Sequence, residues 1–254
     1  TEARLALQSK HRLVIKIGSA VLTQSGEGDL RKRIAGFCLE FNALIDQGYQ
    51  LLVVTSGAVA AGMERLGLKA RPKSVTELQA IAAVGQMSLM QAYERELSSL
   101  DRVSSMVLLT HDDFSNRKRY LNARATLRRL IDLKVIPVIN ENDTVATEEI
   151  RFGDNDTLSA LVTNLVEADL QIILTDVEGL MDKDPNMFSD ARKVGEVRAD
   201  DRSLENLSST RTSELGRGGM LSKVRSARLA SRSGADTVIA SGNVPGVLGK
   251  ILAG

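Results

Sequence analysis

A lysine and a glycine lie together where the first apolar run of the chain ends. The run Leu13–Ile17 is rich in β-branched residues, contains Lys16 and is followed by Gly18 and Ser19. Open α/β sheets bind ligands at the carboxyl ends of their strands. There Gly18 would let the backbone approach a phosphate, and Lys16 could neutralise charge on a transferring phosphoryl group. Because a lysine at a strand end is also commonly a solvated surface residue, this motif alone leaves both interpretations open.

Small residues follow the second apolar run. Ser56 and Gly57 come directly after Leu51–Thr55, and small residues continue to Gly62, where we expect a helix to start. A serine and free amides at a helix N-terminus can hold a carboxylate or a phosphate. The same geometry also suits a serine that only caps the helix, so both roles stay open.

Two clusters of short polar side chains follow. They are Asn140-Glu141-Asn142-Asp143 and Phe152-Gly153-Asp154-Asn155-Asp156. Asn and Asp are also common in turns. Together, however, the clusters would place carboxylates and amides at the ligand end of the sheet, where they could hold an ammonium group. The second cluster lacks the ligand spacing of an EF-hand, so that calcium site is excluded.

Two further motifs have the composition of a phosphate site. Thr175 and Asp176 end another apolar run, and the glycine-rich stretch 216–219 leads into Met220-Leu221-Ser222-Lys223. Glycine amides at a helix start can approach phosphates, and Lys223 adds a positive charge. A flexible surface loop is the alternative interpretation of the glycines.

Several classes of protein are excluded by what the chain contains. The 254 residues carry a net charge of only +1, which argues against nucleic-acid binding. The sequence has no P-loop, no GxGxxG after the first strand, no kinase HRD or DFG motif and no GxSxG elbow. Its two histidines, His11 and His111, show no metal-ligand spacing. Any phosphate site must therefore be of another kind.

The elements that position these motifs alternate along the chain. Six apolar runs predict buried parallel strands at Leu13–Ile17, Leu51–Val54, Ser105–Leu109, Val135–Ile139, Leu170–Leu174 and Thr237–Ala240. Helical spacing predicts helices over Leu30–Asp46, Ser74–Leu100, Arg119–Leu133, Asp156–Glu167 and Met220–Ser233. This alternation indicates an α/β fold whose sheet is covered on both faces.

The rest of the chain predicts one cytoplasmic domain. No Pro/Ser-rich linker divides residues 1–254, and no stretch approaches the roughly 18 apolar residues that span a bilayer. The single cysteine, Cys38, fits a reducing compartment and a core position. The polar stretch Asp184–Thr212 is expected to form a lobe or a mobile lid beside the sheet.

Taken together, the motifs resemble the amino acid kinase family. The resemblance runs from about Arg12 to the end of the chain, and Gly18-Ser19 is similar to the branch of the family that phosphorylates glutamate. It implies a three-layer α/β/α sandwich around a mostly parallel sheet. It also implies an enzyme that transfers a phosphoryl group from ATP to the side-chain carboxylate of L-glutamate. The product would be L-glutamyl 5-phosphate, formed in the first step of proline biosynthesis.

The resemblance also implies roles for individual residues. Lys16 and Lys223 would flank the transferring phosphoryl group, and Asp156 would hold the two lysines. Substrate-binding residues would be Ser56, Gly57, Asn140, Asp143 and Asn155. Nucleotide-binding residues would be Lys16, Gly18, Ser19, Thr175, Asp176, Arg217, Gly218, Gly219, Met220, Leu221, Ser222 and Lys223. The chain departs from the family pattern at Arg217, where Thr is usual, and at Met181, where Tyr is usual.

Partners follow from the same resemblance. It implies Mg²⁺ bound with ATP, feedback inhibition by proline, a dimer or tetramer and a possible partnership with glutamyl-phosphate reductase. Many bacterial members continue into a PUA domain at the point where this sequence ends, so we expect none here. Two alternatives remain open: a related kinase acting on another small carboxylate such as N-acetylglutamate, and a non-catalytic sensor of amino acid and nucleotide.

Overall fold

Six parallel strands form one sheet in a computed structural model that describes residues 1–23, 29–146, 155–183, 188–201, 204 and 219–254. The strands are β1 Arg12–Ile17, β2 Gln50–Val54, β3 Ser104–Leu109, β4 Ile136–Glu141, β5 Leu170–Thr175 and β6 Asp236–Ser241. Their order across the sheet is β3-β4-β2-β1-β5-β6, and every neighbouring pair is parallel. All six predicted strands are confirmed, with bounds that differ by one or two residues.

Helices connect the strands. Those described are α1 Glu2–Ala6, α2 Ser19–Thr23, α3 Asp29–Asp46, α4 Ala58–Leu66, α5 Val75–Ser98, α6 His111–Ser115, α7 Arg117–Asp132, α8 Asp156–Val166, α9 Met220–Ala230 and α10 Val247–Ala253. The five predicted helices are confirmed as α3, α5, α7, α8 and α9, and α9 continues into a 3₁₀ turn at Ser231–Ser233. The short helices α1, α2, α6 and α10 were not predicted, because they hold too few residues to show a helical period.

The start of α4 corrects one prediction. The helix begins at Ala58 rather than near Gly62, because the alanines after Gly57 favour a helix as strongly as any residue. Gly62 instead serves packing, since a Cβ there would lie 2.0 Å from the main-chain oxygen of Ile81 in α5. Gly85 of α5 makes the reciprocal approach, where a Cβ would lie 1.8 Å from the Ala58 oxygen. The two glycines therefore hold α4 and α5 in backbone contact.

Alternate residues of the strands pack on opposite faces of the sheet. In β1, Leu13, Ile15 and Ile17 join the core beneath α3, α5 and α10, whereas Val14 joins the core beneath α7 and α8. This is the two-residue period of a strand buried on both sides. The three-layer α/β/α fold implied by the resemblance is confirmed.

The polar stretch Asp184–Thr212 lies only partly within the described residues. Residues 188–201 and 204 are described, and Met181 forms an isolated antiparallel bridge with Lys193. Its interpretation as a lobe or lid stays a prediction. None of the helices in the described part of the chain is both long and apolar enough to cross a membrane.

Candidate active site

The chemistry-bearing motifs meet because their strands are neighbours. Strands β4, β2, β1 and β5 are adjacent and parallel, so their carboxyl ends lie at one edge of the sheet. Each of these ends carries one of the polar motifs found in the sequence. The hydrogen bonds and the cavity described below join them into one site.

Two lysines converge on one aspartate. Lys16 Nζ lies 2.6 Å from Asp156 Oδ1, and Lys223 Nζ lies 3.2 Å from Asp156 Oδ2. The three residues, which we call the lysine–aspartate cluster, are almost fully buried, with Asp156 at 0% exposure and each lysine at 3%. Burial of one carboxylate with two ammonium groups leaves a net positive charge in a low-dielectric setting, where it acts strongly on an anion.

The ionisation of Asp156 follows from this arrangement. Burial opposes the charged carboxylate, but Lys16 and Lys223 outweigh it and hold the pKa of Asp156 below its usual range. The hydroxyl of Ser222 also donates to Asp156 Oδ2 at 2.7 Å. Asp156 is therefore a fixed anion at neutral pH that orients both lysines.

Local structure explains how each member reaches the cluster. Lys16 lies on the same face of β1 as Val14, which packs towards α8. Asp156 is the first residue of α8, where the helix dipole favours an acidic side chain. Lys223 lies in the first turn of α9, which follows Gly219. One strand end and two helix starts thus supply the three groups.

A small polar cavity of about 60 Å³ lies near the cluster. The residues lining this polar cavity are Ser19, Ser56, Gly57, Ala58, Val59, Ala60, Arg71, Asn140, Glu141, Asp143 and Asn155. Asn155 immediately precedes Asp156 in the chain, so the cavity and the cluster share a main-chain segment. All five residues assigned to substrate by the resemblance lie in the lining.

One hydroxyl of the cavity is unsatisfied. Ser56 is 4% exposed, and its Oγ has no hydrogen-bond partner among the described residues. Its neighbour Gly57 has φ +102°, a left-handed conformation that glycine tolerates and that turns the chain into α4. The N-cap residue of α4 is Gly57, and no side-chain hydrogen bond caps this helix among the described residues. Ser56 therefore does not act as a cap. A buried hydroxyl without a partner is costly, which favours a ligand there.

Two acidic side chains of the lining, Glu141 and Asp143, form what we call the acidic wall of the cavity. Burial and then the charge of Glu141 raise the pKa of Asp143 to about 7, although Arg71 acts in the other direction. Glu141 is itself buried, and its Oε1 lies 3.5 Å from Nδ1 of His111. A cationic group entering the cavity would relieve the repulsion between the two carboxylates.

Two asparagines tie the strand ends together. Asn155 Nδ2 donates to the main-chain oxygen of Thr55 at 2.5 Å and to Asn140 Oδ1 at 2.7 Å. Asn140 Nδ2 in turn donates to Gln86 Oε1 of α5 at 2.7 Å. Both N–H groups of Asn155 are thus directed at the protein, and its side-chain oxygen is the group able to accept from a ligand. Asn140 serves mainly to hold Asn155.

The residues assigned to the nucleotide divide into two groups. Thr175 and Asp176 lie at the end of β5, where the Thr175 hydroxyl donates to Asp176 Oδ1 at 3.0 Å. Gly219 precedes α9, and Met220, Leu221, Ser222 and Lys223 form its first turn. Arg217 and Gly218 lie outside the described residues. Gly18 lies between β1 and α2, and Ser19 contacts the polar cavity.

Sequence reasoning missed several members of this site. Arg71 lines the cavity but belongs to the segment between α4 and α5, where no motif surrounds it. Glu141 lies inside a motif that was singled out, yet only burial beside Asp143 gives it an electrostatic role. Gln86 lies within α5, and its position in the helical pattern does not indicate a role in the site. The contact between Ser222 and Asp156 was also not foreseen.

The described residues offer few ligands for a metal ion. They contain no group of three or more His, Cys, Asp or Glu side chains arranged to hold one. Asp156 already contacts two lysines and a hydroxyl.

Comparisons with known proteins identify the relatives of this chain. The family model described as "Amino acid kinase family" matches residues 11–241. The "Glutamate 5-kinase" of Nitrosococcus oceani is 54% identical over 251 residues, 99% of this chain and 67% of that protein. The "Glutamate 5-kinase" of Stutzerimonas stutzeri is 56% identical over 243 residues, 96% of this chain and 65% of that protein. The chain thus spans about two thirds of the length of these curated relatives.

Solved structures share the fold at low sequence identity. A carbamate kinase from Giardia lamblia bound to AMP-PNP superposes with a TM-score of 0.64 at 14% identity and covers 92% of this chain and 94% of its own. A UMP kinase from Bacillus anthracis gives a TM-score of 0.64 at 15% identity, covering 96% and 92%. Since the family model matches most of the chain and the curated relatives exceed half identity, this chain belongs to the amino acid kinase family and, within it, to the glutamate 5-kinases.

Proposed function

We propose that this chain transfers the γ-phosphoryl group of ATP to the side-chain carboxylate of L-glutamate. The observation that carries the proposal is the lysine–aspartate cluster beside a cavity whose lining includes an unsatisfied hydroxyl and an acidic wall. A sensor that only binds its ligands has no use for two buried lysines aimed at one point. The family membership of the chain also favours a kinase.

The reaction needs positioning and charge rather than a base. A carboxylate oxygen of glutamate attacks the γ-phosphorus, the bond from that phosphorus to the bridging oxygen breaks, and ADP leaves. The nucleophile is already ionised at neutral pH, so no proton has to be removed. Lys16 and Lys223 would offset charge on the phosphoryl oxygens, and Asp156 would hold both ammonium groups in place.

The polar cavity would recognise the amino acid end of the substrate. Asp143 and the side-chain oxygen of Asn155 would accept from the α-ammonium group, and Arg71 would attract the α-carboxylate. The Ser56 hydroxyl and the amides after Gly57 would bind carboxylate oxygens. Asn140 would act through Asn155. N-acetylglutamate has no ammonium group, so the acidic wall favours free glutamate over that alternative.

The nucleotide would lie across the ends of β5 and α9. Thr175, Asp176 and the first turn of α9 would contact ATP, together with Arg217, Gly218, Gly18 and Ser19. The Giardia carbamate kinase of the same fold was solved with an ATP analogue, AMP-PNP. Mg²⁺ would be held mainly by phosphate oxygens and water, where it neutralises phosphate charge.

A trapping assay tests the proposal. Purified protein is incubated with ATP, Mg²⁺ and either L-glutamate or N-acetylglutamate, and hydroxylamine converts any acyl phosphate into a hydroxamate. We expect hydroxamate with glutamate only. Product from N-acetylglutamate alone would establish the related kinase, and binding of glutamate without product would establish the sensor.

Regulation and assembly extend the proposal. We propose that proline competes with glutamate in the polar cavity, that the chain forms a dimer or tetramer, and that the labile product passes to glutamyl-phosphate reductase. Proline should then raise the KM for glutamate in the trapping assay without lowering kcat. Light scattering after size exclusion measures the assembly.

We also propose that residues 1–254 act as one kinase domain, since the described strands form one sheet.

A further inference from the structure

A buried glutamine links the central sheet to both helices of the lysine–aspartate cluster. Gln171 lies in β5 at 0% exposure. Its Nε2 donates to Ser159 Oγ of α8 at 2.6 Å and to Ser226 Oγ of α9 at 2.8 Å. Its Oε1 accepts from the Thr237 hydroxyl of β6 at 3.1 Å. Each side of this amide therefore has a protein partner.

The two serines carry the link on to the cluster. Ser159 Oγ and Ser226 Oγ each donate to the main-chain oxygen of Asp156 at 2.7 Å. Ser159 is 0% exposed and Ser226 is 1% exposed. Ser159 belongs to the same helix as Asp156, whereas Ser226 belongs to α9. The Ser226 bond thus joins the start of α8 to the helix that carries Lys223.

The position of Ser226 couples this bond to Lys223. The two residues are three apart on α9, so their side chains lie on neighbouring parts of one helix face. The lysine side chain has many rotatable bonds, and its ammonium group alone would hold α9 loosely. A short, buried hydrogen bond from a serine fixes the helix backbone more precisely than an ion pair at the end of a long side chain does.

We propose that Gln171 and Ser226 are positioning residues for phosphoryl transfer. Gln171 orients the Ser226 hydroxyl, Ser226 holds α9 against the main chain of Asp156, and Lys223 is thereby kept at its place in the cluster. The inference rests on the proposed roles of Lys223 and Asp156. Sequence reasoning could not find it, because Gln171 lies inside an apolar run and Ser226 lies inside a helix with no motif around it.

The main alternative is that this network only satisfies polar groups in the core. The variants Ser226→Ala and Gln171→Met separate the two roles. Either single change leaves a buried donor or acceptor without its partner and lowers stability. The double variant removes both members of the Gln171–Ser226 bond, so its loss of melting temperature should be smaller than the sum of the two single losses.

If Gln171 and Ser226 position Lys223, the changes in kcat should not follow the changes in melting temperature. Without the Ser226 bond, α9 loses its hydrogen bond to the main chain of Asp156 and keeps only the side-chain contacts of Ser222 and Lys223 with that residue. We therefore expect kcat to fall about tenfold in Ser226→Ala and in the double variant. The KM for glutamate should stay within about twofold, because the polar cavity is built from other elements. Ser226→Thr, which retains the hydroxyl, should restore much of kcat. The double variant would therefore be as slow as Ser226→Ala, although its loss of stability is smaller than the sum of the two single losses.

A matched control comes from the third partner of Gln171. Thr237→Val removes a hydrogen bond to the same amide but no contact with Asp156. We expect a lower melting temperature and unchanged kcat. If kcat instead follows melting temperature across all five variants, the network is only structural and the inference is overturned. Unchanged kcat in Ser226→Ala would also overturn it.

The variant Lys223→Met tests the proposed function separately from the positioning role of Ser226. Lys223→Met should abolish most turnover if the cluster transfers phosphoryl groups. Loss of turnover in Lys223→Met with normal kcat in Ser226→Ala would overturn the positioning role and leave the proposed function intact. Normal turnover in Lys223→Met would overturn the cluster's role, and the positioning inference with it.

Discussion

The lysine–aspartate cluster and the polar cavity are neighbours with opposite electrostatic conditions. In the cluster, every carboxylate oxygen of Asp156 lies near an ammonium group, and the pKa of Asp156 is held below its usual range. In the cavity, a serine hydroxyl has no partner among the described residues, and the pKa of Asp143 is raised to about 7. The cluster is complete before any ligand arrives, whereas the cavity needs a ligand to complete it.

This difference fits the two tasks of a kinase. Groups that stabilise a transition state work best when they are already fixed, because no reorganisation is then required during the reaction. Groups that select a substrate gain specificity when the ligand relieves an unfavourable charge or an unpaired hydroxyl. Changes in the cluster should therefore act on kcat, and changes in the cavity should act on the KM for glutamate.

The largest expected effect is a fall in kcat when a lysine of the lysine–aspartate cluster is replaced. Lys223→Met keeps much of the buried volume but removes one of the charges facing the phosphoryl group. We expect kcat to fall about 10²- to 10³-fold and the KM for glutamate to change less than about threefold. Lys250→Met, at an exposed position of α10, is the control and should leave kcat unchanged. A large increase in KM at constant kcat would contradict the division between the two regions.

The second largest expected effect is a rise in the KM for glutamate when the acidic wall of the cavity loses a charge. Asp143→Asn keeps the shape but removes the charge proposed to meet the α-ammonium group. A charged hydrogen bond contributes about 1.5–3 kcal/mol, so the KM for glutamate should rise about 10- to 100-fold. Asp112→Asn, at an exposed site of α6, is the matched control. A fall in kcat with unchanged KM would place Asp143 outside substrate recognition.

The pH dependence of the KM for glutamate also distinguishes the polar cavity from the lysine–aspartate cluster. The carboxylate form of Asp143 is needed to attract the ammonium group, and this form is lost as pH falls through about 7. The KM for glutamate should therefore rise about tenfold from pH 8 to pH 6. Asp156 does not titrate in this window, since its pKa is lowered, so it contributes no change in kcat. Asp143→Asn should flatten the KM profile, and a profile that persists in this variant would assign it to another group.

The smallest effects compare one serine from each region. Ser56→Ala removes a hydroxyl that has no hydrogen-bond partner among the residues that the structure describes. The melting temperature should therefore stay equal or rise, while the KM for glutamate increases about fivefold. Ser222→Ala removes a hydroxyl that donates to Asp156 at 2.7 Å, so the melting temperature should fall. Calorimetry and steady-state kinetics measure both. Equal losses of stability in the two variants would show that Ser56 is satisfied in the free protein.

Much of the fold and site could be predicted from the sequence. The strands were recognisable because buried parallel strands require continuous apolar runs, and Lys16, Ser56 and Asp143 lie at or shortly after the ends of such runs. The start of α4 was predicted wrongly, because the alanines after Gly57 already begin the helix at Ala58 and Gly62 lies inside it, where α5 approaches. Arg71 and Gln171 carried no local signal, and Glu141 lay in a recognised polar motif without an assigned role.

The sequence by itself determined which residue types stand at the carboxyl ends of the strands, because the periods of strands and helices are local properties. Only the tertiary structure decided that Lys16, Asp156 and Lys223 share one buried point. It also decided that Ser222 has a hydrogen-bond partner, whereas Ser56 has none within the described part of the chain. The physical reason is that burial and charge compensation depend on groups far apart in the chain, and a local pattern does not contain them.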